Sequence, residues 1–505
     1  NVASKIGLSN KIVVLDNARL TFHDLIVDAT GRIDLTNLYP VFDISVHSNE
    51  SDVSKLADIL PALEPLSVGG IMKLSASLKG ADYGGEKPRI EGSLQIENGR
   101  AKLEQMPEPV TDVNATVVFT EKSARLEDTA LRVGSSLVKV KGNAALLPLK
   151  AKYEITSAEA HRTDFQTPPK PSPRPEVLRD VKIEGRIWQE GEKILHAGTA
   201  SSPSGTVANV DYRNMTAVIA STEDKIVIEK FSADALGGKL EGTGTFEPNK
   251  TPPRFEMETR VRKVNLAEYF KYKVESLPKF IEGTIDLDLG LSGAGKEWKE
   301  ISTTLSGEGG ALVVQGALLN LNIANDLLTG LEQLPFVGQA AISRVRQNNP
   351  KMFSGNKTAF KDLTADVRID GGRIHSKGLV IKTGDYSIYG VGWVSFDRQV
   401  SIKSTIVFSN QATQSIIRDL AVAKYLTNDK GQLEIPIMLT GPMTKPKILP
   451  DYDVLSKKIQ ASALDSGIDE LRDRLGDELG NQVKDLFGGF GKKKSTAKPD
   501  TTKPR

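Results

Sequence analysis

Apolar and polar residues alternate along much of this chain. In residues 281–291, Ile285, Leu287 and Leu289 alternate with charged residues such as Asp286. Successive side chains of a β-strand point to opposite sides of the sheet, so such a segment has one apolar face and one hydrated face. Glycines between these segments mark turns and bulges. The pattern predicts antiparallel sheet, and it recurs in residues 90–96, 181–187, 365–369 and 433–439.

A longer repeat is superimposed on this alternation. Residues 52–66, 264–280 and 411–426 have apolar residues at helical spacing, and each is followed by a glycine-marked strand. The proline-rich residues 167–178 occupy the matching place in another copy, where we expect an extended linker because proline cannot continue a helix. The spacing predicts about four β-meander units, the first of them incomplete, each closed by a short helix.

Further helical patterns lie in residues 321–349 and, as an amphipathic helix, in 453–487, before a Gly- and Lys-rich tail that we expect to be disordered. The predicted fold class is therefore mainly β with short helices, an elongated, curved antiparallel sheet that forms a groove from repeated units. The predicted organisation is an incomplete β-unit at 1–50, groove repeats at 51–160 and 161–263, a β-region with a helical insertion at 264–450, the helix at 451–487 and the tail at 488–505.

Composition narrows the classes of function. The 505 residues carry 66 Lys and Arg against 64 Asp and Glu, a net charge of +2, which lacks the basic excess of a dedicated nucleic-acid binder. An apolar share of 39% suits a thin, extended body better than one thick core. The chain has no Cys, so disulfides, thiolate catalysis and cysteine metal sites are excluded.

The N-terminus suggests processing. The chain starts at Asn1 within a strand-like pattern, and no run of 18 or more apolar residues occurs in the sequence. We therefore expect that an anchor or signal helix preceded the present first residue.

No arrangement of residues typical of catalysis is evident. The five His are scattered singly rather than at metal-ligand spacing. The Gly-rich residues 307–310 and 488–491 lack the Lys-Ser/Thr partner of a phosphate loop. Asp286 and Asp288 lie two apart on one strand and are better explained as solubilising side chains than as a glycosidase pair. We expect no enzyme activity, no metal and no cofactor.

The apolar strand faces need a cover, because exposing them to water costs about 25 cal/mol per Å². The predicted helices are few. Two interpretations therefore stay open at this point: a closed β-core such as a sandwich, whose sheets cover one another, or an open, curved sheet whose inner face holds acyl chains.

The order of motifs in the last 200 residues makes the case more specific. A strand and helix start at 316–328 precede a run of strands with glycine turns at 360–409, and a closing motif follows at 433–451. In this order the chain resembles the C-terminal region of the AsmA family, and residues 97–119 resemble the family more loosely. The closing motif consists of Ile435, Pro436, Ile437, Gly441, Pro442, Pro446, Pro450 and Asp451.

The resemblance implies a bridge-like lipid-transfer protein with a long, taco-shaped β-groove. Such proteins are held in the inner membrane by an N-terminal helix and project across the periplasm of Gram-negative bacteria. The implied function is carriage of phospholipids between inner and outer membrane, which supports outer-membrane integrity. The alternative is an envelope assembly scaffold with a closed β-core and no transport. The implied partners are phospholipid acyl chains and the inner membrane, with an outer-membrane contact of the C-terminal end left open.

The candidate groove-lining residues are apolar strand positions whose role would be contact alone. They are Val138, Val140, Ile285, Leu287, Leu289, Ile435, Ile437 and Leu439.

Overall fold

A computed structural model describes residues 2–22, 24–56, 61–83, 87–104, 106–167, 172–272, 279–334 and 337–465. The chain divides into two compact units. Unit 1 comprises residues 1–264, 271–273 and 293–296, and unit 2 comprises residues 265–270, 274–292 and 297–505. The predicted fold class is confirmed, because antiparallel strands dominate the described residues, and each unit is a curved sheet with a few short helices.

Unit 1 is a meander in which successive long strands pair antiparallel through short turns. In the hairpin that joins β13 to β14, for example, Ala208 and Asn209 both have positive φ, 50° and 66°, as a two-residue turn matching the twist of the strands requires. A four-residue helix, α1 (Arg162–Phe165), precedes the proline-rich connection. The strands are β1 (Val2–Ser9), β2 (Ile12–Phe22), β3 (Leu25–Asp34), β4 (Val41–Ser48), β5 (Ser51–Asp52), β6 (Gly69–Ala81), β7 (Arg89–Ala101), β8 (Val110–Thr120), β9 (Ser123–Val133), β10 (Ser136–Leu146), β11 (Leu149–His161), β12 (Val177–Glu190), β13 (Lys193–Val207), β14 (Val210–Ser221), β15 (Ile226–Ala235), β16 (Gly238–Glu247) and β17 (Arg254–Asn265).

Unit 2 continues the same antiparallel pairing from β18 to β25 and adds longer helices. Its strands are β18 (Ile281–Ala294), β19 (Ser306–Leu319), β20 (Lys357–Asp370), β21 (Arg373–Lys382), β22 (Tyr386–Ser395), β23 (Gln399–Phe408), β24 (Glu434–Pro442) and β25 (Lys447–Pro450). The helices that follow β17 in the chain are α2 (Leu266–Tyr272), α3 (Trp298–Thr304), α4 (Ile323–Leu331), α5 (Gln339–Asn348), α6 (Pro350–Phe353), α7 (Asn410–Asp419) and α8 (Tyr452–Asp465).

The chain order shows the repeat that the sequence predicts. After the connection at residues 53–68 come the six strands β6–β11, after the proline-rich connection the six strands β12–β17, and after α2 the six strands β18–β23. The third copy is longer because α4, α5 and α6 are inserted between β19 and β20.

The helical predictions have different outcomes. Two 3-10 segments, Val53–Leu56 and Pro61–Leu66, lie within the range where the sequence predicts a helix at 52–66. Pro65 stands inside the second segment, where its missing N–H disfavours a regular α-helix. The pattern at 411–426 is α7 followed by a 3-10 turn at Ala421–Leu426. The predicted helix at 453–487 begins as α8, whereas its part beyond Asp465 and the tail at 488–505 lie outside the described residues.

The two units differ in how they bury apolar side chains. Of the 43 buried apolar residues identified among the described ones, 11 lie in unit 1, although that unit has more than half of the chain. The core cluster lies in unit 2, where α4, α5, α7 and α8 cover one end of the sheet. In most domains a second layer of helices or strands covers the apolar face of a sheet. The described residues of unit 1 form the sheet but not such a second layer.

Candidate functional site

Strand register shows which side chains share a face of unit 1. Residues paired across antiparallel strands project to the same side of the sheet. Val140 of β10 pairs with Ile155 of β11, which pairs with Ile183 of β12. Ile183 pairs in turn with Ala200, and Ala200 with Ala217 of β14. The register therefore places an apolar row across five neighbouring strands.

The same face is apolar toward the N-terminal strands. Ile44 pairs with Leu78, and Leu78 with Ile90. Two rows further along, Leu74 pairs with Leu94, and Leu94 with Val117. We call this side of unit 1 the apolar face. Most of its large side chains are only half-buried, including Leu74, Leu94, Ile155 and Ile183, and on edge strand β1 Leu8 is 72% exposed. It is therefore an accessible apolar surface rather than the inside of a core.

The opposite side of the same strands is charged. Lys141 pairs with Glu154, which pairs with Glu184. The ammonium of Lys141 lies 3.0 Å from the Glu154 carboxylate, and that of Lys182 lies 2.6 Å from Glu184. The hydrogen bond from Lys141 lowers the pKa of Glu154. These pairs are exposed and contribute little stability, so their main effect is to keep this face in water.

The register also locates the predicted lining residues. Val138 and Val140 lie on the apolar face of unit 1, Val138 being buried and Val140 half-buried. In unit 2, Ile285 pairs with Val313, Leu287 with Ala311 and Leu289 with Gly309, so all three share one face of that sheet. Leu287 and Leu289 are half-buried there, whereas Ile285 packs against the core cluster. The two units thus each hold part of the predicted set.

The assignment of Ile435 and Ile437 to an open lining needs correction. Both are 3% exposed and belong to the core cluster of unit 2, and Leu439 packs against it. Helices cover this end of the sheet, so these β24 side chains contact protein rather than an open surface. Alternation revealed the face correctly but carried no information about which part of it the helices would cover.

The helical cover is tightly joined to the sheet. Tyr452 of α8 donates a hydrogen bond to the carbonyl of Gly330 in α4 at 2.9 Å, and Pro450 packs against the same glycine. Lys458 pairs with Glu434 of β24 at 2.6 Å. A cavity of about 20 Å³ lies between the helices and the sheet, which is room for about one water molecule. Its lining is apolar and includes Leu327, Leu331, Phe408, Ile416, Leu433 and Ile435.

One polar cluster interrupts the apolar face of unit 1. The hydroxyl of Tyr153 lies 2.5 Å from Nε2 of His196, and Nδ1 of His196 lies 3.2 Å from the hydroxyl of Ser221. Sequence reasoning interpreted His196 only as a scattered surface residue. The signal that could have identified it is its position two residues before Gly198 on β13, on the apolar side of that strand.

The described ranges lack two kinds of feature. None of the described helices is both long and apolar enough to cross a membrane. Within the same ranges, no group of three or more His, Cys, Asp or Glu side chains is arranged to hold a metal ion.

Comparison with known families agrees with this geometry. Residues 137–379, which run from β10 to β21, match the model of the AsmA family. This stretch is an AsmA-family region. The predicted resemblance is thereby confirmed, although the matched residues end upstream of the closing motif at 433–451. The AsmA family is associated with the cell envelope and with envelope assembly or lipid transport. No curated protein and no solved structure gave a significant match.

Proposed function

We propose that the protein binds phospholipid acyl chains on the apolar face of unit 1 and carries phospholipids between the inner and outer membranes. The single observation that carries this proposal is the half-buried apolar face, which runs through consecutive strands of unit 1 while the core cluster lies in unit 2. Apolar surface left in water costs about 25 cal/mol per Å², so an apolar occupant would stabilise this unit.

The opposite, charged side of the sheet supports the same interpretation. Sheets with one apolar and one charged face bury the apolar one, and contiguous exposed apolar surface marks a binding site. Acyl chains need apolar contact area rather than directed hydrogen bonds. A lining made of Val, Ile and Ala, as in the row from Val140 to Ala217, supplies such area without discriminating between chains.

The family match also supports a location. We place the protein in the periplasm of a Gram-negative bacterium, attached to the inner membrane. Its role there would be the maintenance of the outer membrane. It would use neither catalysis nor a cofactor, because binding and release of lipid need no covalent step.

The test is lipid extraction from the purified chain, followed by a transfer assay. Mass spectrometry of the organic extract is expected to find phospholipid in stoichiometric amount. Vesicles containing fluorescent phospholipid should exchange it with acceptor vesicles faster when the protein is present. Protein that carries no lipid and does not accelerate exchange would contradict the proposal and would favour a scaffold without a lipid path.

A further inference from the structure

The polar cluster of Tyr153, His196 and Ser221 lies among apolar side chains. The row that contains Tyr153 continues into Gly185 and Gly198, and the row above it pairs Ile187 with His196 and His196 with Ser221. Ile155 and Ile183 lie in the row below. All three polar groups are half-buried on the accessible side of the sheet.

Glycine positions the tyrosine. A methyl group at Gly185 would lie 2.4 Å from the Tyr153 hydroxyl, so the phenol ring extends across the bare backbone of β12 toward His196. The two rings are nearly parallel, with 15° between their planes and 5.9 Å between their centroids. Burial raises the pKa of Tyr153, which keeps the phenol protonated and able to donate.

The hydrogen bonds of the cluster leave one donor unused. Tyr153, a neutral His196 and Ser221 carry three polar hydrogens, and the two internal bonds use two of them. If Tyr153 donates to Nε2, then Nδ1–H donates to Ser221 and the serine hydroxyl is the free donor. With the other tautomer, the tyrosine hydroxyl is free. Either arrangement presents a single neutral hydroxyl to whatever occupies the face.

Other hydroxyls near this face are used differently. Ser157 donates to the carbonyls of Leu137 and Glu159, and Ser202 donates to that of Arg179 and lies 2.7 Å from the hydroxyl of Tyr212. Both serines are buried and bond to the backbone, whereas the members of the cluster are half-buried and bond to one another.

We propose that the Tyr153–His196–Ser221 cluster binds the ester carbonyl of a diacyl lipid whose chains lie on the apolar face. This inference rests on the proposed function and specifies which part of the lipid this point of the face recognises. An ester carbonyl is a neutral acceptor at the start of an acyl chain, so one neutral donor beside Ile155 and Ile183 matches both its polarity and its surroundings.

The discriminating probe is a pair of lipids that differ only in the carbonyls. A diacyl phosphatidylglycerol and its dialkyl ether counterpart of equal chain length compete with a fluorescent phospholipid bound to the full-length chain. One net hydrogen bond of about 1 kcal/mol corresponds to about fivefold tighter binding of the ester. The double variant Tyr153→Phe/Ser221→Ala lacks both hydroxyls that could be the free donor, and it is expected to lose this preference while the ether lipid binds as before.

A second variant tests the geometry without removing a polar group. Gly185→Ala should displace the phenol ring from His196, separate the members of the cluster and reduce the ester preference. Tyr389→Phe is the matched control, because Tyr389 lies on β22 of unit 2 and is 49% exposed. Circular dichroism confirms that each variant is folded.

The outcomes separate the two proposals. Ester and ether lipids that bind wild type equally well would overturn the carbonyl site and leave the lipid-binding face intact. An ester preference that persists in the double variant Tyr153→Phe/Ser221→Ala would also overturn the site. Binding of neither lipid would overturn the proposed function together with the site.

Discussion

Two charges placed on the apolar face should block lipid passage without unfolding the sheet. Ile155 and Ile183 are direct cross-strand partners, flanked in the same row by Val140 and Ala200. With strands about 4.8 Å apart, these four side chains cover about 14 Å of the row. An acyl chain crossing Ile155→Asp/Ile183→Asp would lose its apolar contacts there. If about four methylenes are left without apolar partners, at about 0.8 kcal/mol each, the step costs about 3 kcal/mol.

That free energy corresponds to a reduction in transfer rate of more than about a hundredfold. The assay is the exchange of fluorescent phospholipid between donor and acceptor vesicles. The matched control is Thr156→Asp/Ser201→Asp, which adds the same two charges on the opposite face, on either side of Lys182. It should transfer at the wild-type rate. The reasoning is refuted if the folded Ile155→Asp/Ile183→Asp variant, with an unchanged circular dichroism spectrum, also transfers lipid at the wild-type rate.

Three further predictions concern stability. Leu327 is 1% exposed in the core cluster, so Leu327→Ala should lower the free energy of unfolding by about 2–5 kcal/mol. Leu74→Ala, on the apolar face, should lower it by only about 1 kcal/mol. Equal shifts in the urea midpoint of the two variants would contradict the difference in packing between the units. Asp164 accepts four hydrogen bonds, from the backbone amides and the hydroxyls of Ser135 and Ser136. Asp164→Ala should therefore lower the free energy of unfolding, measured with urea, by about 3 kcal/mol. Glu159 is exposed, so the control variant Glu159→Ala should lower it far less. Burial raises the pKa of Tyr386 to about 12, so the folded state holds the phenol proton more tightly than the unfolded state does. The stability that this proton contributes is therefore fully present below pH 10 and is lost as the pH rises toward 12. Between pH 10 and pH 12 the free energy of unfolding of wild type should therefore fall by roughly 3 kcal/mol more than that of Tyr386→Phe. Curves of stability against pH that run parallel for the two proteins over this range would refute the prediction.

The architecture was predictable because alternation directly encodes which side of a strand is apolar. The segment that contains Ile285, Leu287 and Leu289 is a strand in the structure, with all three on one face. The repeat was predictable for a similar reason, since a helical or proline-rich break precedes each set of six strands. These are local signals, and each depends on a few neighbouring residues.

The cover of the apolar face was not predictable from alternation. Ile435 and Ile437 have the same pattern as the lining residues of unit 1, yet helices bury them. Which part of a face is covered depends on contacts between residues far apart in the chain, such as Tyr452 with Gly330. The 3-10 segments around 53–66 were missed because apolar spacing outweighed the prolines in the prediction.

The polar cluster was missed for a different reason. Tyr153 and His196 are 43 residues apart, and they meet because β11 and β13 both flank β12 and because Gly185 leaves the space between them free. A scattered histidine becomes informative only when the register shows that its neighbours on the same face are apolar.

Crosslinking from two adjacent positions on β11 tests the central claim most directly. Ile155 and Thr156 point to opposite faces of the sheet, so a photo-reactive phenylalanine analogue at each position samples one face alone. After irradiation in cells, mass spectrometry should find phospholipid adducts on the chain substituted at Ile155 and none on the chain substituted at Thr156. Adducts at neither position, or equal yields at both, would contradict a lipid-binding apolar face.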